Sequence, residues 1–373
     1  MAQKVGTRVG NDPTRRTMIG AGAAILLGAS GARAAPRRIF TVVGTGVQGH
    51  LADGASVGTA TLNQPYGVYV DRKKDLYWAD FGSDRILMLD RRSSTVSVVA
   101  GNGVKGHSGD SGSAKSAQLS APHEVRFDRG GNMLVAERDA NVIRVIDGRS
   151  GLISTLVGTG MPGFGGDGGP SEKAQLKQPH SIALDRRDNL YICDIQNNRV
   201  RCRDSATGLL TTFAGNGEMT DTPDEAPLAA SLHGPRSIDI GPDGTMYLIL
   251  REGNKVFSID PVAKTLRRIA GTGVKGYAGD KGPARDAQWN GPKGIAYAPD
   301  GSLYISDTEN HVIRRISLHD GRVATVAGTG QRGDGPDGDP LGCALARPHG
   351  VFVHDGLLYI GDSENHRIRA LEI

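Results

Sequence analysis

The chain has 373 residues, of which 38% are hydrophobic and 23% are charged, a balance that allows a packed core and excludes a disordered chain. Its 54 glycines follow no three-residue period, which excludes collagen and predicts a chain that turns often. The net charge of +4 is contributed entirely by residues 1–34, so the neutral remainder offers no bulk cationic surface for nucleic acid, and no nucleic-acid partner is expected.

The chain opens with an export signal, predicted over residues 1–34. Arg15 and Arg16 precede a short apolar run, and Ala32-Arg33-Ala34 has the small residues of a cleavage site. The paired arginines resemble a twin-arginine signal, and an ordinary secretory signal is the alternative. We therefore expect a periplasmic or secreted protein. The apolar run is too short for a membrane span, and no other segment is long enough for one.

Internal repetition begins after this signal and continues to the end of the chain. The segment G-x-G recurs six times at spacings of 57, 57, 57, 56 and 57 residues, from Gly44 to Gly328. An aspartate follows nine residues after the first glycine of each copy, and we interpret all six aspartates as loop-shaping residues. They are Asp53, Asp110, Asp167, Asp224, Asp280 and Asp337.

Each repeat reads as four short strands with alternating apolar residues and no helical period. The first strand follows a proline, and the fourth ends at the next G-x-G. Residues 38–43 match a fourth strand, whereas residues 348–373 supply a first, second and third strand only. The sequence thus predicts an all-β, six-bladed β-propeller of four-stranded antiparallel blades over residues 35–373, in which the N-terminal strand completes the last blade.

The runs NLYICDIQNNRVR, SLYISDTENHVIRRI and LLYIGDSENHRIRAL resemble NHL repeats, and the resemblance spans residues 38–373. The loops of type GTGxxGxxGDxG are similar to those of bacterial extracytoplasmic members. The resemblance implies a six-bladed propeller. NHL propellers include enzymes as well as modules that bind RNA, protein or cell-wall material, so the fold alone does not choose a function.

The residue after each strand-opening proline is polar or ionisable in all six copies. Because first strands line the central channel of a propeller, we expect these residues to form a ring at its mouth. The six are Tyr66, His123, His180, Arg236, Lys293 and His349. Three converging imidazoles could hold zinc or another divalent transition metal, which predicts His123, His180 and His349 as ligands.

A second set of side chains ends the second strands and should return to the same mouth. We predict that the carboxylates of Glu137, Asp194 and Asp362 accept hydrogen bonds from the far nitrogens of the histidines. The blade that carries Arg236 has Leu250 at this position. Its arginine should therefore be free to meet an anionic ligand.

The Pro-His pairs in APHEV, QPHSI and RPHGV look like those of the peptidyl-hydroxyglycine amidating lyases. This resemblance implies that His123, His180 and His349 hold zinc and that Tyr66 and Arg236 act beside the metal. The third motif departs from the family pattern because glycine follows its histidine. Nothing else in the chain indicates a peptide-recognition site.

The first functional hypothesis is an exported metal-dependent hydrolase or lyase that acts on a small polar substrate such as a lactone or glycoside. Arg236 or Lys293 would stabilise negative charge, and Tyr66 or a carboxylate at the rim would move a proton. A metal-free anion site and a merely water-lined channel are alternatives for the same ring. The second hypothesis is a non-enzymatic propeller that binds an envelope protein or glycan through variable loops such as residues 217–233. We expect a monomer.

Two pairings remain open at this stage. Cys193 and Cys202 lie on one predicted hairpin and are close enough in sequence to form a disulfide. Glu124, Arg126 and Asp239 are charged residues on inner strands, and an Arg126–Asp239 ion pair across the channel is expected.

Overall fold

The computed structural model describes residues 37–373, and the predicted export signal lies outside the described residues. These residues form six antiparallel sheets, five made from consecutive strands of the chain and the sixth from the last three strands together with the first. The prediction of an all-β, six-bladed propeller is therefore confirmed. Within the described part, no helix is long and apolar enough to cross a membrane.

The strands follow the predicted order in every blade. The first strands are Pro65–Val70, Pro122–Phe127, Pro179–Leu184, Pro235–Ile240, Gly294–Ala298 and Val351–His354. The second strands are Leu76–Asp80, Met133–Glu137, Leu190–Asp194, Met246–Leu250, Ser302–Asp307 and Leu357–Asp362. The third strands are Arg85–Asp90, Val142–Ile146, Arg199–Arg203, Lys255–Asp260, Val312–Ser317 and Arg367–Glu372.

The fourth strands are Thr95–Ala100, Ile153–Val157, Leu209–Ala214, Thr265–Ala270, Val323–Ala327 and Ile39–Val43. Three blades gain a short fifth strand from the loop before them, at Ala55–Ser56, Gly169–Pro170 and Glu225–Pro227. Single 3-10 turns occur at Val57–Thr59, Phe81–Ser83, Ala114–Ser116, Ser171–Lys173, Ile195–Asn197, Ala284–Asp286, Thr308–Asn310 and Ser363–Asn365.

The core consists of apolar layers between neighbouring blades. The second strands are buried almost along their full length, because each sheet is covered on one face by the preceding blade and on the other face by the following blade. One such layer places Trp78 of blade 1 against Tyr359 and Ile368 of blade 6. Burial of large side chains of this kind contributes about 1.5 to 3 kcal/mol each.

The Asn-rich turn between the second and third strands has a backbone requirement. Its last residue adopts a left-handed conformation, with φ between +48° and +58° at Asn141, Asn198, Asn254 and His311. Asparagine tolerates this conformation better than most residues, which explains its recurrence there.

The ring closes through the strand Ile39–Val43. It pairs antiparallel with Arg367–Glu372, and Ile39 lies opposite Leu371. Ile39 also exchanges two backbone hydrogen bonds with Gly338, which anchors the strand to the preceding loop. The predicted completion of the last blade by the N-terminal strand is correct. This closure removes the free sheet edges that an open array would expose.

The carboxylates that end the second strands do not orient the histidines, so that prediction is wrong. Glu137, Asp194 and Asp362 are fully buried, and each accepts a backbone N–H from the loop before its own first strand. Each also pairs with a buried arginine on the third strand of its blade. These arginines are Arg144, Arg201 and Arg369.

The same buried arginines bind the loop aspartates. Arg369 contacts three carboxylates: Asp362 at 2.8 Å, Asp337 at 2.8 Å and Asp334 at 2.7 Å. Asp337 in turn accepts the backbone N–H of Thr41 in the closing strand. The loop aspartates thus shape their loops through bonds to neighbouring strands rather than to their own turns. Leu87 and Phe257 replace the arginine in blades 1 and 4.

The Cys193–Cys202 disulfide that the sequence left open is not formed, and both thiols are free. The register of the hairpin explains why. Cys193 lies opposite Val200, and Cys202 lies opposite Tyr191. The two cysteines are therefore displaced along the hairpin and their side chains cannot be joined without moving the backbone.

We expect Arg369→Met to lower the free energy of unfolding by about 3 to 5 kcal/mol, because it leaves the buried Asp362 carboxylate without its cation. Guanidinium unfolding followed by tryptophan fluorescence measures this. The matched control is Arg315→Met, whose 3.4 Å pair with Asp300 is partly exposed, and which should change stability by less than about 1 kcal/mol. Equal effects of the two substitutions would contradict the structural role assigned to Arg369.

Candidate functional site

The structure brings the six residues that follow the strand-opening prolines together at one end of the channel. Five of them are at least nine-tenths buried, and Tyr66 is half-buried. Contacts connect them across blades: His123 lies 4.5 Å from His180 between ring centroids, and the Arg236 guanidinium reaches His123 across the ring. The symmetry of the repeat thus creates a cluster from residues spread over 284 positions of the sequence.

One side of the mouth is an aromatic stack. The Tyr66 ring stacks on His349 with centroids 3.9 Å apart and on Phe81 with centroids 4.3 Å apart. Arg138 covers Phe81, with its guanidinium carbon 4.7 Å from the ring centroid. The sequence did not predict Phe81 as a site residue, although it is the only aromatic residue directly after a second strand in the six repeats.

This stack holds the Tyr66 phenol in place. Burial raises the pKa of Tyr66, and the nearby Arg236, Arg347 and Arg138 guanidinium groups lower it only in part. The phenol therefore stays protonated at neutral pH and can donate a proton or a hydrogen bond.

The histidines of the ring are neutral. Burial and the neighbouring Arg236 hold the pKa values of His123 and His180 well below the usual range, and burial followed by Lys293 does the same for His349. The Nδ1 atoms of His180 and His349 lie 2.7 and 2.9 Å from the carbonyl oxygens of Gln178 and Arg347. A carbonyl only accepts, so these Nδ1 atoms carry the protons and the Nε2 atoms carry lone pairs.

The three histidines do not form a metal site as their side chains stand. The Nε2 atom of His123 accepts a hydrogen bond from Arg236 at 3.0 Å, and the Tyr66 ring lies between His123 and His349. Among residues 37–373, no group of three or more histidine, cysteine or acidic side chains has an arrangement that could hold a metal ion. The present positions of the three imidazoles therefore do not form the predicted zinc site, and no chemical step is assigned to a metal.

Arg236 is the unusual charge of the site. It is 3% exposed, and it forms no ion pair with a carboxylate in the described part of the chain. Its Nε atom is buried without a hydrogen-bond partner. Burial, followed by repulsion from Arg251, lowers the pKa of Arg236 to about 10, so it remains a cation. The adjacent second strand of its blade ends in Leu250 instead of a carboxylate.

Lys293 differs from Arg236 because it has a partner. Its Nζ lies 2.7 Å from Glu309, which also binds Arg347 at 2.7 Å. Burial lowers the pKa of Lys293 to about 8, although Glu309 opposes this shift. Sequence reasoning missed Glu309 and Arg347, because their contact depends on the turn of blade 5 meeting the loop of blade 6.

Below the ring the channel is nearly filled. The cavity there has a volume of about 20 Å³, enough for about one water molecule, and Glu124 lines it. Arg126 pairs with Glu124, so the predicted Arg126–Asp239 ion pair is wrong. Asp239 instead accepts the backbone N–H groups of Tyr297 and Ile240. A ligand larger than water must therefore bind above the ring.

Space for such a ligand lies beside the mouth. A hollow of about 470 Å³ on the same face is lined by Arg138, Lys177 and Gln178, together with residues of the neighbouring loops. Arg138 borders both this hollow and the aromatic stack. The ring and the hollow are therefore adjacent parts of one surface.

Fold and site together define a six-bladed β-propeller with a cationic, aromatic channel mouth. The family model described as NHL repeat matches residues 290–316 and 345–371, which lie in blades 5 and 6. These matches identify NHL repeats in the last two blades, as the sequence pattern indicated.

The chain is also similar in sequence to two curated proteins. The chain is 26% identical over 273 residues to SUPPRESSOR OF QUENCHING 1, a chloroplastic protein of Arabidopsis thaliana, covering 70% of this chain and 26% of that protein. It is 26% identical over 284 residues to NHL repeat-containing protein 2 of Gallus gallus, covering 67% of this chain and 38% of the relative. The chain thus spans well under half the length of these relatives.

Three solved structures share the fold. An auxiliary nutrient binding protein of Bacteroides thetaiotaomicron has a TM-score of 0.67 at 19% identity, over 90% of this chain and 76% of that one. A gluconolactonase of Xanthomonas campestris has a TM-score of 0.55 at 15% identity, over 91% and 95%. The virginiamycin B lyase of Staphylococcus aureus has a TM-score of 0.51 at 15% identity, over 84% and 98%. At these identities the likeness shows the fold alone.

We expect Arg236→Met to raise the free energy of unfolding of the ligand-free protein by about 1 to 3 kcal/mol, because it removes a buried cation that has no carboxylate partner. Denaturant unfolding in a buffer of low anion concentration measures the change. Lys293→Met is the comparison, since it removes a cation that is already paired with Glu309 and should not stabilise the protein. Destabilisation by Arg236→Met would mean that its bond to His123 holds the ring together.

Proposed function

We propose that this propeller binds a small polar substrate that carries or develops negative charge at the channel mouth, and that it acts on this substrate as a hydrolase or lyase. The observation that carries the proposal is the buried Arg236 guanidinium without a carboxylate partner. A buried cation is costly unless an anion accompanies it, so a ligand that supplies the anion gains strongly from binding there.

The remaining ring residues have roles that suit such a reaction. Arg236, with Lys293 as a second donor, stabilises negative charge that develops on a substrate oxygen. The stacked Tyr66 phenol is a candidate proton donor, and the Nε2 lone pairs of His180 and His349 are candidate proton acceptors. The hollow lined by Arg138 and Lys177 has room for the part of the substrate that does not react.

Enzymes and binding proteins both occur among propellers of this shape, including a gluconolactonase, a lyase and a nutrient binding protein. The unpaired arginine supports ligand binding in either case. Proton-transfer groups beside it favour the enzymatic reading over the binding module. The envelope-binding propeller, with a protein or glycan partner on loops such as residues 217–233, is the alternative that the experiment below separates from it.

The test of anion binding is titration calorimetry of residues 35–373 with sulfate, phosphate and gluconate. We expect at least one of the three to bind with 1:1 stoichiometry and Arg236→Gln to weaken that binding at least tenfold, about 1.4 kcal/mol, since a charge-assisted hydrogen bond is lost. The matched control is Arg251→Gln on the same face, whose arginine already pairs with Glu252. It should change the affinity less than twofold.

Turnover is measured on the same proteins by acid release from δ-gluconolactone and by colour release from p-nitrophenyl glycosides. We expect Tyr66→Phe to lower kcat while leaving gluconate affinity unchanged, because it keeps the aromatic stack and removes only the hydroxyl. Anion binding without turnover of any substrate would favour a binding module. Absence of both would overturn the proposal and direct attention to envelope partners.

A metal-assisted form of the proposal requires Arg236 to release the Nε2 atom of His123. Support for it comes from the Nδ1 bonds of His180 and His349, which leave lone pairs on Nε2, the arrangement usual in metal-binding histidines.

Elemental analysis of protein purified without a chelating column tests the metal-assisted form. It predicts close to one equivalent of zinc or another transition metal, lost when His123, His180 and His349 are all changed to alanine. Fewer than about 0.1 equivalents in both proteins, with anion binding intact, would establish the metal-free form.

A further inference from the structure

A much larger cavity opens on the face of the ring opposite the mouth. It is a groove of about 900 Å³ between blades 1 and 2, and turn residues of blade 3 border it. The first strands begin at the mouth and run toward these turns, which places the groove at the far end of the channel axis. None of the ring residues lines it, so it is independent of the site described above.

The floor of the groove is aromatic and apolar. Phe127 lies 5.3 Å from Tyr69 and 4.9 Å from Tyr77 between ring centroids, and Met88 and Met133 complete this surface. Phe127, Tyr69 and Met88 are only half-buried. Aromatic rings and flexible thioethers accept flat apolar groups well, because they adapt their contacts and present large polarizable surfaces.

The rim of the groove carries cations that have no carboxylate partner in residues 37–373. These are Arg72, Lys73, Arg129 and Arg149. The aspartates that line the same groove accept hydrogen bonds from backbone amides of their own or an adjoining turn, and they form no ion pair with these four side chains. These aspartates are Asp71, Asp128, Asp147, Asp185 and Asp188. The Arg129 guanidinium donates a hydrogen bond to the carbonyl oxygen of Arg186.

The distribution of these cations along the repeat matches the position of the groove. The turns between first and second strands read DRKKD, DRGGN and DRRDN in blades 1, 2 and 3. The corresponding turns of blades 4, 5 and 6 read GPDGT, PDGS and HDG and contain no lysine or arginine. Within the turns between first and second strands, lysine and arginine are therefore confined to blades 1 to 3, on the side where the groove opens.

We propose that this groove binds an amphipathic anion, that is, a small molecule with a flat apolar or aromatic body and a sulfonate, carboxylate or phosphate group. The floor receives the body, and Arg72 and Arg129 receive the charged group. A volume of about 900 Å³ is within the range of small-molecule sites, about 300 to 1,000 Å³. The proposal does not depend on the function of the channel mouth.

The probe for the experiment is 1-anilinonaphthalene-8-sulfonate, followed by its fluorescence and by calorimetry. Its uncharged counterpart, N-phenyl-1-naphthylamine, has the same rings without the sulfonate. We expect the sulfonate to bind 1:1 and at least fivefold more tightly than the amine. The double substitution Arg72→Gln and Arg129→Gln should weaken sulfonate binding at least fivefold. The matched control is Arg186→Gln with Arg187→Gln, in the equivalent turn of blade 3.

A second pair of variants tests the location without changing charge. Ser97 lines the groove from the fourth strand of blade 1, so Ser97→Trp should fill it and abolish binding. Ser154 occupies the same position in blade 2 outside the groove, and Ser154→Trp is the control. Circular dichroism establishes whether each variant is folded. If Ser97→Trp does not fold, the double variant with Arg72→Gln and Arg129→Gln tests the proposal instead.

Three results would overturn the proposal. They are unchanged sulfonate affinity in a folded Ser97→Trp variant, unchanged affinity in the Arg72 and Arg129 double variant, and equal affinities for the sulfonate and the amine. Arg236→Gln should leave sulfonate binding unaltered. The proposal for the groove and the proposal for the channel mouth can therefore be confirmed or overturned separately.

Discussion

Closure of the ring by the strand Ile39–Val43 is the constraint on which the rest of the structure depends. The backbone bonds to Arg367–Glu372 join the two ends of a 337-residue domain, and they fix the sixth blade beside the first. The contact between Tyr66 of blade 1 and His349 of blade 6 exists only because of that closure. The channel mouth is therefore a property of the closed ring, since no single repeat contains more than one of the six residues that follow the strand-opening prolines.

Buried charge has two opposite roles in this protein. Arg369 is surrounded by three carboxylates and connects the closing strand, a loop and a second strand, so its charge is neutralised within the fold. Arg236 is equally buried but has only an imidazole nitrogen as partner. The fold neutralises its buried third-strand arginines in four blades. At the channel mouth it leaves Arg236 without an ion pair that would stabilise the folded state. Such a departure from internal consistency is typical of a functional site.

The repeats also explain why the two faces of the ring offer different surfaces. On the mouth face, residues at equivalent positions converge because the first strands line the axis. On the other face, the turns point outward, and their composition differs between blades 1 to 3 and blades 4 to 6. The mouth therefore suits one small ligand near the axis, whereas the groove depends on the contacts of two particular blades.

The sequence by itself determined the fold, because a period of 57 residues, four strand patterns per period and an unmatched first strand admit one closed arrangement. It also predicted which six side chains share the channel mouth, since symmetry transforms equal positions in the repeat into neighbours in space. It did not predict the partners of those side chains. Phe81, Glu309 and the Arg236–His123 bond depend on rotamers and on contacts between blades.

The carboxylates of Glu137, Asp194 and Asp362 also occupy equivalent positions in the repeat, and for this reason the sequence predicted that they accept hydrogen bonds from the histidines. Their position in the repeat was right, but the pattern does not reveal that a buried arginine and a backbone amide compete for them. Which hydrogen-bond partners a buried polar group finds is decided by packing at the scale of an ångström. Only the tertiary structure supplies that information, and it is the reason that the repeat predicted the fold better than the chemistry.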